Sequence, residues 1–201
     1  MGEAIKQKRI MKTQNKITLR LLILTVLVST IISSCKKDNN DVTKPADINE
    51  GELITTVQFK ISSTDSPFVT NIFQYRDVDG IGGNAPSIDT IKLSANKVYY
   101  VEVLLLDESK NPIDTISNEV LSESQDHLFI YEPADTNLTV TINDFDTNNP
   151  PLPLGIITSW STKSVSNSTL KLTLKHQPGI KNGDPTRGET DVEVVLPVSI
   201  E

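Results

Sequence analysis

Two Asp-x-Asp motifs are the residues of this sequence whose type and spacing best suit chemistry. Asp77 and Asp79 stand before a glycine, while Asp144 and Asp146 are followed two residues later by Asn148. Carboxylate and amide oxygens at alternate loop positions are the ligands that Ca²⁺ prefers, so both motifs are candidate calcium sites. The alternative is that these side chains cap turns by bonding to their own backbone. The second motif does not complete an EF-hand loop, because position 155, where a bidentate glutamate would fall, is glycine.

A long polar loop, residues 175–188, separates the last two apolar stretches. It carries Lys181 and Arg187 and is the most basic stretch of an acidic domain. Long loops in compact domains are uncommon and often functional. We therefore expect Lys181 and Arg187 to contact a partner, the alternative being a hairpin loop without one.

Signatures of enzymes are weak in this sequence. The chain has two histidines, His127 and His176, whereas a catalytic zinc site usually takes three protein ligands. Both lie at the edges of predicted strands, and we expect surface or strand-end histidines rather than metal ligands. No G-x-S-x-G nucleophile elbow occurs, and the glycines at 80–83 lead into a strand rather than the helix that phosphate binding needs. We expect a non-enzymatic protein, and the one cofactor that the sequence suggests is Ca²⁺. A hydrolase is the least favoured alternative.

The single cysteine, Cys35, follows a basic segment and an apolar run over residues 21–32. A stretch of twelve residues is too short for a helix that crosses about 30 Å of hydrocarbon, which needs about 20, but it suits the apolar region of a signal peptide. Ile32-Ser33-Ser34-Cys35 resembles the lipobox of bacterial lipoproteins. The resemblance implies cleavage before Cys35 and its acylation. We expect a signal peptide over residues 1–34, with Met11 as an alternative start, and a polar tether over residues 35–52.

The residues after Cys35 bear on localisation. Lys36-Lys37-Asp38 lacks the aspartate directly after the cysteine that retains lipoproteins in an inner membrane, and the basic-then-acidic run resembles surface-export signals. The resemblance implies an outer-membrane lipoprotein that faces either the cell surface or the periplasm.

The charge balance limits the partners of the mature chain. The full chain has 19 basic and 26 acidic residues, and residues 1–34 hold six of the bases and one of the acids, which leaves a net charge of −12 after cleavage. Nucleic-acid binding needs lysine and arginine to neutralise phosphates, so we exclude a nucleic-acid partner. An acidic surface also disfavours docking on anionic lipid, so the lipid anchor alone would hold the protein at the membrane.

Residues 53–201 show an apolar period of two. The alternating stretches are 53–61, 69–75, 138–142, 170–174 and 192–200, and residues 98–106 are apolar on both faces, which predicts a central strand. With 88–94, 127–132 and 154–161, about nine strands are predicted, and residues 117–126 form the single candidate helix. We therefore predict one all-β domain, a two-sheet antiparallel sandwich of immunoglobulin-like or transthyretin-like type with at most one short helix.

Three runs together resemble a family of small Gram-negative outer-membrane-type lipoproteins. They are residues 33–38, 76–91 and 175–192. Some such chains carry the label "type 1 periplasmic binding fold", which requires βαβ units that this pattern lacks. We expect a binding or structural accessory module at the outer membrane with a protein or glycan partner. The alternative is a Ca²⁺- or carbohydrate-dependent ligand-binding module in nutrient capture.

Overall fold

The computed structural model describes residues 52–66, 68–80 and 82–201. The predicted signal peptide, Cys35 and the predicted tether up to residue 51 lie outside these residues. Among the residues described, no helix is long and apolar enough to cross a membrane.

The described part of the chain folds into two packed β-sheets. Its elements are β1 Thr56–Ser63, β2 Thr70–Arg76, β3 Ser87–Ile88, β4 Ile91–Leu93, β5 Val98–Leu106, α1 Ile116–Ser122, β6 His127–Pro133, β7 Leu138–Ile142, β8 Ile157–Thr162, β9 Ser166–His176 and β10 Glu189–Ile200. The first sheet has the order β3-β2-β1-β5-β8-β7 and the second has the order β4-β10-β9-β6.

The core lies between the two sheets and follows from the alternation in the sequence. Every second residue of β1 and β5 is buried, because successive side chains of a strand point to opposite faces. Trp160 of the first sheet is fully buried. Its ring lies 5.8 Å from that of Phe59 and 6.5 Å, edge-on, from that of Tyr131 in the second sheet, in the tilted arrangements that aromatic pairs prefer. The predicted all-β sandwich with one short helix is confirmed.

Two details differ from the prediction. The stretch predicted as one strand over 88–94 is divided: β3 pairs with β2 in the first sheet, and β4 then pairs with β10 in the second. The chain crosses from the first sheet to the second after Asp89, and β4 then runs parallel to β10. The sandwich is therefore not wholly antiparallel. The helix ends at Ser122 rather than at residue 126.

The two ends of the sandwich carry different connections. The helix end is where β1, β6, β8 and β10 begin and where β2, β5, β7 and β9 stop, as the antiparallel registers require. It carries α1 and the loops 143–156 and 177–188. The opposite end, here called the hairpin end, carries the β1–β2 turn, residues 94–97 and the turn 163–165.

Candidate functional site

The first Asp-x-Asp motif closes its own loop. The Asp77 carboxylate accepts a hydrogen bond from Gly80 N–H at 3.0 Å, and that of Asp79 accepts bonds from the backbone and side-chain N–H groups of Asn84 at 2.9 and 2.6 Å. The bonds from Asn84 lower the pKa of Asp79. These are the contacts of a turn-capping side chain.

The second motif is also bonded to its own loop. The two oxygens of Asp144 accept hydrogen bonds from the backbone N–H groups of Gly155 and Ile156 at 2.9 and 3.0 Å. The second motif follows β7, four strand positions from β2 in the first sheet. At about 4.8 Å per position the two motifs are roughly 19 Å apart, so they do not form a shared site.

Asp146 forms a buried ion pair that the sequence did not predict. Its carboxylate accepts bonds from Leu152 N–H, from both N–H groups of Asn148, and from the Lys181 ammonium at 2.8 Å, with Lys181 and Asp146 side chains 1% and 0% exposed. Burial opposes ionisation of Asp146, but the bonds from Leu152, Lys181 and Asn148 outweigh it and lower its pKa. Lys181 thus supplies the positive charge that a Ca²⁺ ion would supply here.

The loop 177–188 is therefore only partly available to a partner. The Lys181 ammonium also donates to the Ser124 carbonyl at 2.8 Å, and the Lys181 side chain is buried. It is therefore removed from the predicted contact surface, whereas Arg187 is exposed. The buried Gln177 amide holds the loop by donating to the carbonyls of Asp184 and Arg187, both at 2.9 Å.

A different group of side chains gathers at the helix end. His127 begins β6 and His176 ends β9, and the antiparallel register makes them cross-strand neighbours. Their rings stack with centroids 4.8 Å apart and planes 13° apart. His127 is fully buried, with Nδ1 3.1 Å from the carbonyl oxygen of Glu123, the C-cap residue that follows α1. Both histidines lie at strand ends, as predicted, but His127 is buried rather than on the surface.

Asp191 reaches the same group from the second sheet. A bulge in β10 between Thr190 and Val192 leaves Asp191 without a cross-strand partner. Its side chain is 8% exposed, and Oδ2 lies 3.8 Å from His127 Nε2. Neither atom has a hydrogen-bond partner among the described residues.

Glu52 completes the group from the residues just before β1. Both of its carboxylate oxygens are buried without a hydrogen-bond partner among the described residues. Burial, and then repulsion by Glu119, Asp191, Glu123 and Asp114, raises the pKa of Glu52 to about 7. Ligand atoms of Glu52, Glu119 and Glu123 lie within 4.8 Å of one another, as do those of Glu123, His127 and His176. We call these six residues, Glu52, Glu119, Glu123, His127, His176 and Asp191, the His–acid cluster.

The protonation states of the buried pair follow from their surroundings. Burial lowers the pKa of His127 and raises that of Asp191, in the latter case against the opposing influence of the two histidines. Burial thus favours the uncharged form of each side chain. A neutral imidazole is the form of histidine that binds metal ions.

The hairpin end offers an open groove of about 370 Å³. Polar and apolar residues of β1, β2, β4 and β5 and of the neighbouring turns line it. They are Ser63, Asp65, Ser66, Val69, Asn71, Lys92, Leu93, Ser94, Lys97, Tyr99 and Glu201. Exposed apolar side chains lie at the same end, and the most exposed are Phe68, at 79%, and Val165, at 68%. Among the aromatic residues of β5 and β8, Trp160 and Tyr99 are buried and Tyr100 is exposed.

Cys35 and the lipobox-like residues before it lie outside the described residues. The lipobox resemblance, and the wider resemblance to Gram-negative lipoproteins seen in residues 33–38, 76–91 and 175–192, stay predictions from the sequence. Comparison of the chain with known protein families, curated proteins and solved structures finds no match.

Proposed function

We propose that this chain is a non-enzymatic lipoprotein of the outer membrane that binds a protein partner through the hairpin end of its sandwich. Acylated Cys35 would anchor it, and the acidic domain would stay off the anionic membrane surface. The observation that carries the proposal is the position of the groove: it lies at the end of the sandwich opposite to the start of β1.

The chemistry of the hairpin end favours a protein as the partner. Phe68 and Val165 are large apolar groups exposed to water, and aromatic side chains are enriched in protein interfaces. The groove beside them contains an ion pair, Lys97 to Asp65 at 2.6 Å, and hydroxyl and amide groups. An apolar contact with a polar, hydrogen-bonding rim is the usual composition of a protein–protein interface.

A photo-crosslinking experiment on intact cells tests this surface. We would place a photoreactive residue at position 68 or 165, with position 145 as the matched control, because Phe145 is also an exposed aromatic residue but lies at the helix end. The expected result is one discrete adduct of the same mass from positions 68 and 165 and none from 145. Phe68→Ser should abolish the adduct formed at 165. No adduct, or equal adducts at all three positions, would refute the proposal.

The anchor is tested separately. Cys35→Ser should abolish incorporation of a fatty-acid label and release the protein from the membrane fraction, because no acyl chains remain. A variant that stays in the membrane fraction would contradict anchoring through Cys35.

A second candidate, glycan binding, is favoured by one observation on the outer face of the first sheet. Tyr100 is exposed there, and its cross-strand neighbours are Ser62 and Ser159. An exposed ring flanked by hydroxyl groups is suited to stacking on a sugar and bonding to its hydroxyls. Binding to a glycan array that is lost in Tyr100→Ala and kept in Phe68→Ser would favour this candidate over the first.

A further inference from the structure

We propose that the His–acid cluster binds a divalent first-row transition metal ion, with His127, His176 and Glu123 as its central ligands and Asp191 and Glu52 completing the site. This proposal concerns the helix end of the sandwich. It depends on neither the lipid anchor nor the partner surface proposed above.

The spacing of the ligand atoms supports a single ion. Bonds of about 2.1 Å in a tetrahedral zinc site place neighbouring ligand atoms about 3.4 Å apart. His127 Nε2 and Asp191 Oδ2 are 3.8 Å apart, and the ligand atoms of Glu123, His127 and His176 lie within 4.8 Å of one another. Side-chain rotations that move these atoms by about an ångström would bring them into coordination distance.

The unsatisfied polar atoms of the fold concentrate in this cluster. Seven buried side-chain nitrogen and oxygen atoms of the described residues have no hydrogen-bond partner, and four of them belong to Glu52, His127 and Asp191. Buried polar atoms in native proteins are normally paired. The buried Nε2 of His127 faces the buried Oδ2 of Asp191, and neither atom has a hydrogen-bond partner among the described residues. A cation bound between them would explain this arrangement.

The charges of the cluster favour a cation. The cluster has four carboxylates, those of Glu52, Glu119, Glu123 and Asp191, and two histidines. Lys175 is the one lysine among the described groups that influence Asp191. The Lys175 ammonium itself donates to Thr190 Oγ1 at 2.9 Å and to the Gly188 carbonyl at 3.3 Å. A divalent ion would relieve the repulsion that Glu119, Asp191 and Glu123 exert on Glu52.

The types of ligand select the class of metal. Imidazole nitrogen suits zinc, copper, iron and nickel, whereas Ca²⁺ and Mg²⁺ prefer sites made of oxygen alone. Two histidines with carboxylates, and no cysteine among the ligands, point to zinc or a neighbouring first-row ion. This separates the His–acid cluster from the calcium motifs predicted at Asp77 and Asp144, which contain no nitrogen ligand.

Calorimetry with matched variants tests the site. Zn²⁺ would be titrated into the full-length chain purified in detergent, with Co²⁺ as a spectroscopic probe of nitrogen and oxygen ligation. We expect one Zn²⁺ per chain, and we expect Glu123→Gln and His176→Gln each to weaken binding at least about tenfold, because even residues that only support a ligand contribute that much. Glu102→Gln is the control, since it removes a carboxylate from the outer face of β5 and should leave the affinity unchanged.

Three further measurements make the result decisive. Nitrogen NMR of the side chains should show both histidines shifting with Zn²⁺, and these are the chain's only two histidines. Glu123 is exposed, so Glu123→Gln should fold normally by circular dichroism even if His176→Gln does not. Ca²⁺ should bind more weakly than Zn²⁺. The proposal is overturned if Zn²⁺ does not bind, if Glu123→Gln binds it as tightly as the wild type, or if the histidine signals do not move.

Discussion

The ion pair between Lys181 and Asp146 should be a main support of the helix end, and Lys181→Met tests it. Both side chains are buried, and Lys181 also bonds to the Ser124 carbonyl. Methionine fills similar space but leaves the Asp146 carboxylate buried without its cation. Removing one partner of a buried pair typically costs about 3–5 kcal/mol. At about 2–4 °C per kcal/mol for a domain of this size, the melting temperature should fall by roughly 6–20 °C.

The assay is thermal and urea unfolding of the full-length chain in detergent, followed by circular dichroism. Arg187→Met is the matched control, because it removes one positive charge from the same loop at an exposed position and should change stability by no more than about 0.5 kcal/mol. If the free energy of unfolding of Lys181→Met were within about 1 kcal/mol of the wild-type value, the buried ion pair would not be a main source of stability for these loops.

The pH dependence gives the same prediction a second check. The pKa of Asp146 lies below its ordinary value of 3.8, so in the wild type its stabilising contribution is present above about pH 4 and is lost as the pH falls through the lower native value. In Lys181→Met the unpaired carboxylate is relieved by protonation. The stability gap between the two proteins should therefore be widest at neutral pH and should narrow as the pH falls toward 4. A gap that does not change with pH would attribute the loss to packing alone.

Two further predictions concern the helix end. The pKa of Glu52 is raised to about 7 from 4.5, so ionisation of Glu52 disfavours folding increasingly as the pH rises through that interval. With a metal chelator present, the melting temperature of Glu52→Gln should be higher than that of the wild type at pH 8 and equal to it at pH 4. A lower melting temperature of Glu52→Gln at pH 8 would contradict the burial argument. Gly188 has a φ of +77°, and a Cβ there would collide with the His176 carbonyl oxygen. Gly188→Ala should therefore destabilise by about 2 kcal/mol or more, whereas Gly179→Ala, with a φ of +66° but open space around it, should cost less; equal melting temperatures for the two variants would refute the collision.

Local sequence was enough to place most of the strands. Alternation along residues 192–200 and 170–174 reports which face is buried, and a strand needs no distant information to show this. The stretch 88–94 could not be divided from sequence, because β3 and β4 continue the same alternation while pairing with different sheets. Likewise, residues 98–106 are apolar on both faces, yet Tyr100 is exposed, since nothing covers that face of β5 in the described structure.

The candidate site was much less predictable. The sequence indicated that Asp77, Asp79, Asp144 and Asp146 lie in loops. It could not decide between metal binding and turn capping, because both roles use the same residue types. What Asp146 bonds to depends on Lys181, which is far away along the chain. The available signal for the His–acid cluster was weak: two histidines at strand ends and an acid at the start of the last strand.

The sequence by itself determined the fold class, the acidic charge of the domain and the chemical features that predict a lipid anchor at Cys35, because these depend on composition and on neighbours along the chain. The tertiary structure decided which polar side chains meet. Strand register brings His127 to His176, the bulge in β10 turns Asp191 toward them, and the burial of Lys181 removes it from the surface. Register and bulges arise from contacts between residues distant in sequence, so only the folded chain reveals the cluster at its helix end.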